Sequence, residues 1–169
     1  MLGSHYVDFC RMIVRGDAVD VTARLGPRTG ENQRGAEFED PTGNLTVTFT
    51  GGERAFIDFG EDVPRGDSVV TIRGDEGLIV IEENKEVWTL RGRSGRTWTF
   101  PFAAAFRPAP IALRVVYGGL AEDMMACNGE DALAALEVVK AALHSSSDGS
   151  RVVTLPLDAA QASLPTRFA

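Results

Sequence analysis

The chain has 169 residues, 44% of them hydrophobic and 24% charged, with a net charge of −7; this length lets one domain fold without disulfides or metals, and the acidic balance argues against general nucleic-acid binding. The two cysteines, Cys10 and Cys127, stand far apart in no CxxC pair, which reads as reduced thiols in a cytoplasmic protein. No basic leader with an apolar run opens the chain, and the longest apolar stretch, 111–121, is interrupted by Arg114 and Gly118-Gly119, well short of the ~20 residues that span a bilayer.

Ser4 is placed to cap a helix over 5–14, with Val7, Cys10 and Val14 at helical spacing toward a core and Gly16-Asp17 ending it. Val19, Val21, Ala23 and Leu25 alternate with Asp20, Thr22 and Arg24, the pattern of a half-buried strand. Residues 26–43 are polar and aperiodic and read as a long loop. Leu45, Val47 and Phe49 then alternate with threonines, Gly51-Gly52 signals a tight hairpin, and Ala55, Ile57 and Phe59 carry the return strand. Further strands are expected at 69–73, 78–81, 87–90 and 97–102. Connections this short force antiparallel pairing, because parallel neighbours need a long crossover.

The last third changes period. Residues 111–125 read as a helix weakened by Gly118-Gly119. Asn128 is placed to cap a second helix, with Glu130 and Asp131 in its first turn, where the helix dipole favours acids. Leu133, Leu136, Val139 and Leu143 are its expected buried stripe. Gly149 lies past its end, 151–155 is a short strand closed by Pro156, and the chain over 158–169 reads as a loose tail. Strands segregated from helices indicate an α+β fold: an open, mainly antiparallel β-sheet with helices on one face. The longest low-complexity run is Ser145-Ser146-Ser147.

Three stretches, in this order, resemble the C-terminal domain of the Gfo/Idh/MocA (glucose–fructose oxidoreductase / inositol dehydrogenase) family. Leu2-Gly3-Ser4-His5-Tyr6-Val7-Asp8 resembles the family's D-x-G-x-H-x-x-D segment. Residues 43–59, followed by Ile72-Arg73-Gly74-Asp75-Glu76-Gly77-Leu78-Ile79, resemble its strand pair and G-x-x-G-x-L hairpin. Residues 128–137, through Val153-Thr154-Leu155-Pro156, resemble its G-E-D helix and closing V-x-L-P strand. The resemblance implies that 1–157 form a substrate-binding and oligomerisation domain. It further implies sugar or polyol dehydrogenase chemistry with NAD(P), a small carbohydrate substrate, and a homodimer or higher assembly through the open sheet face.

By the same resemblance His5 matches the position that exchanges a proton with the substrate hydroxyl. An imidazole with an unperturbed pKa of about 6.5 can accept and return that proton near neutral pH. Asp8, one turn later on the same helix face, is placed to orient the ring. Without the resemblance, His5 merely starts a helix and Asp8 is a first-turn acid. The sequence departs from the family at Met1, where the family's carboxylate four residues before the histidine would fall. It also shows no G-x-G-x-x-G loop opening a helix, since Gly92-Arg93-Ser94-Gly95 runs from strand to strand. The expectation is therefore no cofactor bound by this chain alone and no activity without a Rossmann-domain partner. The alternative is a non-catalytic carbohydrate-binding or dimerisation module.

Other candidates read as structural. His144 sits near a helix C-terminus, where a cation is favoured. Two histidines and two lone cysteines form no metal-ligand set, and no G-x-S-x-G elbow supports a serine triad. Trp88 and Trp98, on adjacent strands, either pair across their hairpin or form an exposed patch for a second subunit. Arg91, Arg93 and Arg96 read as a solvated hairpin tip ahead of a phosphate site, and the Arg24-Arg28-Arg34 region as a mobile surface loop ahead of one that reaches substrate.

Overall fold

The computed structural model describes residues 2–26, 42–59, 69–82, 85, 87–101 and 129–163. The elements run α1 (Leu2–Val14), β1 (Ala18–Gly26), β2 (Thr42–Phe49), β3 (Arg54–Phe59), β4 (Val69–Gly74), β5 (Gly77–Glu82), β6 (Val87–Gly92), β7 (Thr97–Pro101), α2 (Gly129–Ser147), β8 (Val153–Thr154) and α3 (Ala159–Ser163). Among the described residues every strand pair is antiparallel, and the class is α+β as expected. The strands divide into two four-stranded sheets rather than one, ordered β3-β2-β1-β8 and β4-β5-β6-β7. The chain correspondingly forms two compact units, Met1–Glu61 with Glu122–Ala169, and Asp62–Ala121.

In the first unit, strict alternation sends Val21, Ala23, Leu45, Val47 and Ile57 to one face of the sheet, where they join the buried core with Val7 of α1 and Ala135, Val138, Ala141 and Ala142 of α2. A register shift between Ala18 and Asp20 makes a bulge at Val19. The bulge carries Ala18 inward opposite the buried Phe49, while the Val19 carbonyl accepts a hydrogen bond from the Leu155 amide at 2.8 Å. Tyr6, Cys10 and Val14 pack from α1 against the same core. Helix α1 starts at Leu2, so Ser4 lies within its first turn instead of capping it. The helix ends at Val14, and Arg15 follows with φ 56° before Gly16.

The stripe expected to bury α2 does not. Leu133 is 66% exposed and Leu136 40%, and neither Val139 nor Leu143 is fully buried. The buried face is Ala135, Val138, Ala141, Ala142 and Ser145. Small side chains let the helix axis approach the sheet closely, so short residues, rather than the largest apolar ones, occupy the contact. The close approach brings two serine hydroxyls to β1. Strand β8 pairs with β1 only at Asp20 and Val21, and beyond it Ser145 and Ser146 of α2 take over the exposed edge. Just before the segment read as a loose tail, the Leu157 amide donates to Glu137 at 2.8 Å. Within that segment residues 159–163 form α3, where Lys140 of α2 donates to the Ala162 carbonyl. Residues 164–169 lie outside the described residues.

The β2–β3 hairpin turns at Gly51-Gly52, where only Gly52 takes a left-handed φ, 88°. The Gly52 amide donates to the Phe49 carbonyl at 2.9 Å. Gly43 is needed for a different reason: at φ 137° a Cβ there would collide with the Arg24 carbonyl across the strand pair.

In the second unit, register aligns Val70, Ile81, Trp88 and Phe100 in one row and Ile72, Ile79, Leu90 and Trp98 in the next, all on one face. Trp88 pairs with Phe100, ring centroids 5.1 Å apart, and not with Trp98, which sits one row away opposite Leu90. Arg96 lies over the Trp98 ring, 5.4 Å from its centroid. The expected helix over 111–125, the cap at Asn128, most of the loop over 26–43, and Arg28, Arg34, Phe102 and Cys127 fall outside the described residues.

Candidate functional site

Helix α1 carries both residues singled out for chemistry. His5 is exposed, and Asp8 lies one turn further along, half-buried. Among the described residues no hydrogen bond joins them. The Asp8 carboxylate instead faces Arg11, with Nη1 3.9 Å from Oδ1.

Arg11 is the best-connected side chain of this helix, and nothing in the sequence reading pointed to it. Its side chain is only 13% exposed. Nη1 donates to the backbone carbonyl of Asp131 at 3.0 Å and lies 3.5 Å from the Asp131 carboxylate, while Nη2 is 3.9 Å from Asp17. Beyond the one hydrogen bond these contacts are Coulombic, since N···O separations of 3.5 Å and more hold by charge rather than by directional bonding. Three carboxylates from α1, from the turn after it, and from the first turn of α2 thus converge on one guanidinium. The available signal was the i, i+3 spacing of Asp8 and Arg11 on a helix. Beside the cluster, Asp8, Arg11, Arg15, Asp17, Thr50 and Asp131 line an open depression of about 400 Å³, to which His5 does not contribute.

The other candidates lie on other elements. His144 Nε2 lies 3.1 Å from the Gln161 carbonyl, a tether for α3. Arg91, Arg93 and Arg96 are exposed at the turn between β6 and β7, where the Arg93 amide donates to the Glu76 carbonyl at 2.9 Å. Arg24 is exposed on β1. Burial raises the pKa of the Cys10 thiol, which favours its protonated, less nucleophilic form. Among the described residues no group of His, Cys, Asp or Glu is arranged to hold a metal ion, and no helix is long and apolar enough to cross a membrane.

A pyrophosphate needs a helix N-terminus fronted by a glycine turn; α2 does not offer one, since it opens with Glu130 and Asp131, which repel phosphate. Helix α3, with five residues, is too short to offer such a terminus.

No protein-family model matches the chain, and no curated protein is significantly similar to it in sequence. Solved structures are similar to it in fold. Aldose-aldose oxidoreductase from Caulobacter crescentus, complexed with glycerol, superposes with a TM-score of 0.65 at 20% identity over 90% of this chain and 46% of its own. UDP-N-acetylglucosamine 3-dehydrogenase GnnA from Acidithiobacillus ferrooxidans gives 0.61 at 17% identity over 86% and 44%. The WlbA dehydrogenase from Bordetella pertussis, in complex with NADH and UDP-GlcNAcA, gives 0.55 at 20% identity over 93% and 44%. The fold is that of the Gfo/Idh/MocA-type oxidoreductases, and the chain spans about half the length of these structures.

Proposed function

We propose that these residues form the substrate-binding and oligomerisation domain of an NAD(P)-dependent oxidoreductase acting on a sugar or polyol hydroxyl, equivalent to the C-terminal half of such an enzyme. The observation that carries this reading is the superposition of about nine-tenths of the chain on about half of each of several sugar dehydrogenases and oxidoreductases. The G-x-H-x-x-D stretch at Gly3, His5 and Asp8 adds to it. His5, exposed on α1, would exchange the hydroxyl proton. Asp8, on the same helix face, would orient the ring once substrate draws the two together.

Hydride transfer would need a nicotinamide carrier held by a nucleotide-binding domain beyond these residues, joined to them or separate, and the domain alone would be inactive. Self-association through an open sheet face and a cytoplasmic location belong to the same reading. The missing hydrogen bond between His5 and Asp8 favours, as a second reading, a carbohydrate-binding or dimerisation module without catalysis.

Two titrations test this. Fluorescence titration of the chain with NADH is expected to show no saturable binding below millimolar concentration; a micromolar dissociation constant would overturn the division of labour. NMR titration with glucose, inositol and glycerol is expected to move the His5 imidazole resonances. Saturating shifts elsewhere with His5 unmoved would leave only the non-catalytic module.

A further inference from the structure

The more polar face of the second sheet carries two arginines that no acid answers. Register sets Arg73 of β4, Leu78 of β5 and Arg91 of β6 side by side, so both arginines rise from one face with Leu78 between them. Their sequence neighbours Ile72, Ile79 and Leu90 belong to the opposite, apolar face. Thr71 and Thr89 stand one row back on the same face, each on the strand of one arginine. The acid that register places on this face, Glu82, lies four residues along β5 from Leu78 and pairs with Lys85 at 2.6 Å. Among the described residues neither arginine forms an ion pair, with Asp75 and Glu76 of the adjoining turn or with any other acid. Both are exposed, in a chain of net charge −7.

We infer that Arg73 and Arg91 clamp the phosphate of a small, hydroxylated phosphate monoester seated over Leu78. Their Cα atoms lie roughly 10 Å apart across two strand spacings, so two guanidiniums leaning inward from either side meet on one tetrahedral group. A phosphate monoester carries roughly 1.5 to 2 negative charges and three acceptor oxygens, enough to take a fork from each side. A lone carboxylate, with two oxygens and one charge, satisfies only one fork. Thr71 and Thr89 stand roughly 7 Å behind the arginines along the strands. Their hydroxyls, which can donate and accept, face the organic part of the ligand.

Of the three arginines at the β6 end of this sheet, Arg91 alone has such a partner. Arg96 lies over the Trp98 ring, 5.4 Å from its centroid, and Trp98 stands in the row of Leu90 on the apolar face. Arg93 is held in the turn, its amide bonded to the Glu76 carbonyl. Arg73 reaches Arg91 only through the register of three strands, which is why the hairpin by itself reads as a solvated tip. The site is open, so its affinity rests on charge and falls as salt rises. It lies wholly in the second unit and does not depend on the role read for His5.

NMR titration of the full chain at low salt tests the clamp, with the arginine Nε–Hε resonances as readout and inorganic phosphate, glucose 6-phosphate and glucose as probes. Glucose 6-phosphate is expected to move the Arg73 and Arg91 resonances together, saturating with a dissociation constant of about 0.1–1 mM. Inorganic phosphate should bind at least about threefold more weakly, for want of the threonine contacts, and glucose should leave both resonances unmoved. Arg73→Gln and Arg91→Gln should each weaken glucose 6-phosphate at least about fivefold. Arg91→Lys should recover only part of that loss, since an ammonium has no fork. Arg24→Gln, which removes the same charge from the first sheet, should change the affinity by less than about twofold. Shifts that never saturate, or an equal loss with Arg24→Gln, would reduce the effect to general attraction and overturn the clamp. Equal affinity for phosphate and its ester would overturn the assignment to an ester. A polyglutamate peptide that binds the same two arginines more tightly than glucose 6-phosphate would make the face a contact for acidic protein, and overturn the small-molecule ligand.

Discussion

The hydroxyl of Ser145 takes the place of a missing strand for Ala23. The Ala23 amide donates to Ser145 Oγ at 2.9 Å, and the same hydroxyl donates to the Arg151 carbonyl at 2.6 Å. Its neighbour Ser146 accepts from the Leu25 amide at 2.9 Å and donates to the Leu25 carbonyl at 3.2 Å. The edge of β1 left unpaired by the two-residue β8 is thus satisfied by the last turn of α2. Because Ser145 is wholly buried and its bond from Ala23 is buried too, Ser145→Ala strands the Ala23 amide where water cannot replace the hydroxyl. Urea unfolding is expected to show a loss of about 2–3 kcal/mol. Ser146→Ala, at a half-buried position, should cost about 1 kcal/mol. Equal effects at the two sites would contradict this account.

Arg11 joins α1 to the first turn of α2 through Asp131. Arg11→Met keeps much of the aliphatic packing but removes the hydrogen bond and leaves Asp8, Asp17 and Asp131 without their shared cation. Discounted for the partial exposure of the acids, the loss is expected to be about 1–2 kcal/mol by denaturant unfolding. Arg11→Lys should recover only part of it, since a single ammonium cannot reach as many oxygens as the guanidinium fork.

Gly43 sits in β2 where a side chain would meet the Arg24 carbonyl. Gly43→Ala must either force the strands apart or strain the backbone, and is expected to destabilise the first unit by about 2 kcal/mol or more. Gly52→Ala should cost less, because its left-handed φ is strained for alanine while nothing lies near the new methyl.

Much of this architecture is legible in the residues. The alternation of Leu45, Val47 and Phe49 with threonines fixes which face is buried, since a strand has a period of two. The glycine pair at 51–52 locates the hairpin, and the spacing of Val7, Cys10 and Val14 locates the inner face of α1. The buried face of α2 is not legible, because a pattern of large apolar residues points to Leu133 and Leu136. The true contact is chosen by how closely a helix can approach the sheet, a tertiary property. The partner of Trp88 depends on register, and the split into two sheets depends on long-range pairing, neither of which local patterns contain. At the candidate site, the position of His5 and Asp8 on one helix face was readable. The Arg11 cluster was not, because Asp131 is brought to it from 120 residues away.

Burial raises the pKa of Cys10 above its ordinary value of 9.0. The folded protein therefore holds this proton more tightly than the unfolded chain does. Stability on this account is intact below 9.0 and falls as pH rises through that value toward the higher folded pKa. In a Cys127→Ser background, the thiol should react with iodoacetamide more slowly in the native protein than in urea at the same pH. Cys10→Ala should flatten the alkaline fall in stability. Equal alkylation rates in the native and unfolded states would show that the thiol is not shielded.

His5 and Arg11 lie on the same helix but predict opposite outcomes. His5 is exposed and makes no hydrogen bond among the described residues, so His5→Asn should leave the urea midpoint unchanged. If His5 handles the substrate proton, the same variant in a chain completed by a nucleotide-binding domain should lose about 10²- to 10⁴-fold in kcat. Arg11→Met should do the reverse, lowering stability while retaining most of the turnover of whatever fraction is folded. A His5→Asn variant that keeps its turnover would remove the proton-transfer role from this position. The histidine would then be an ordinary surface residue at the start of a helix.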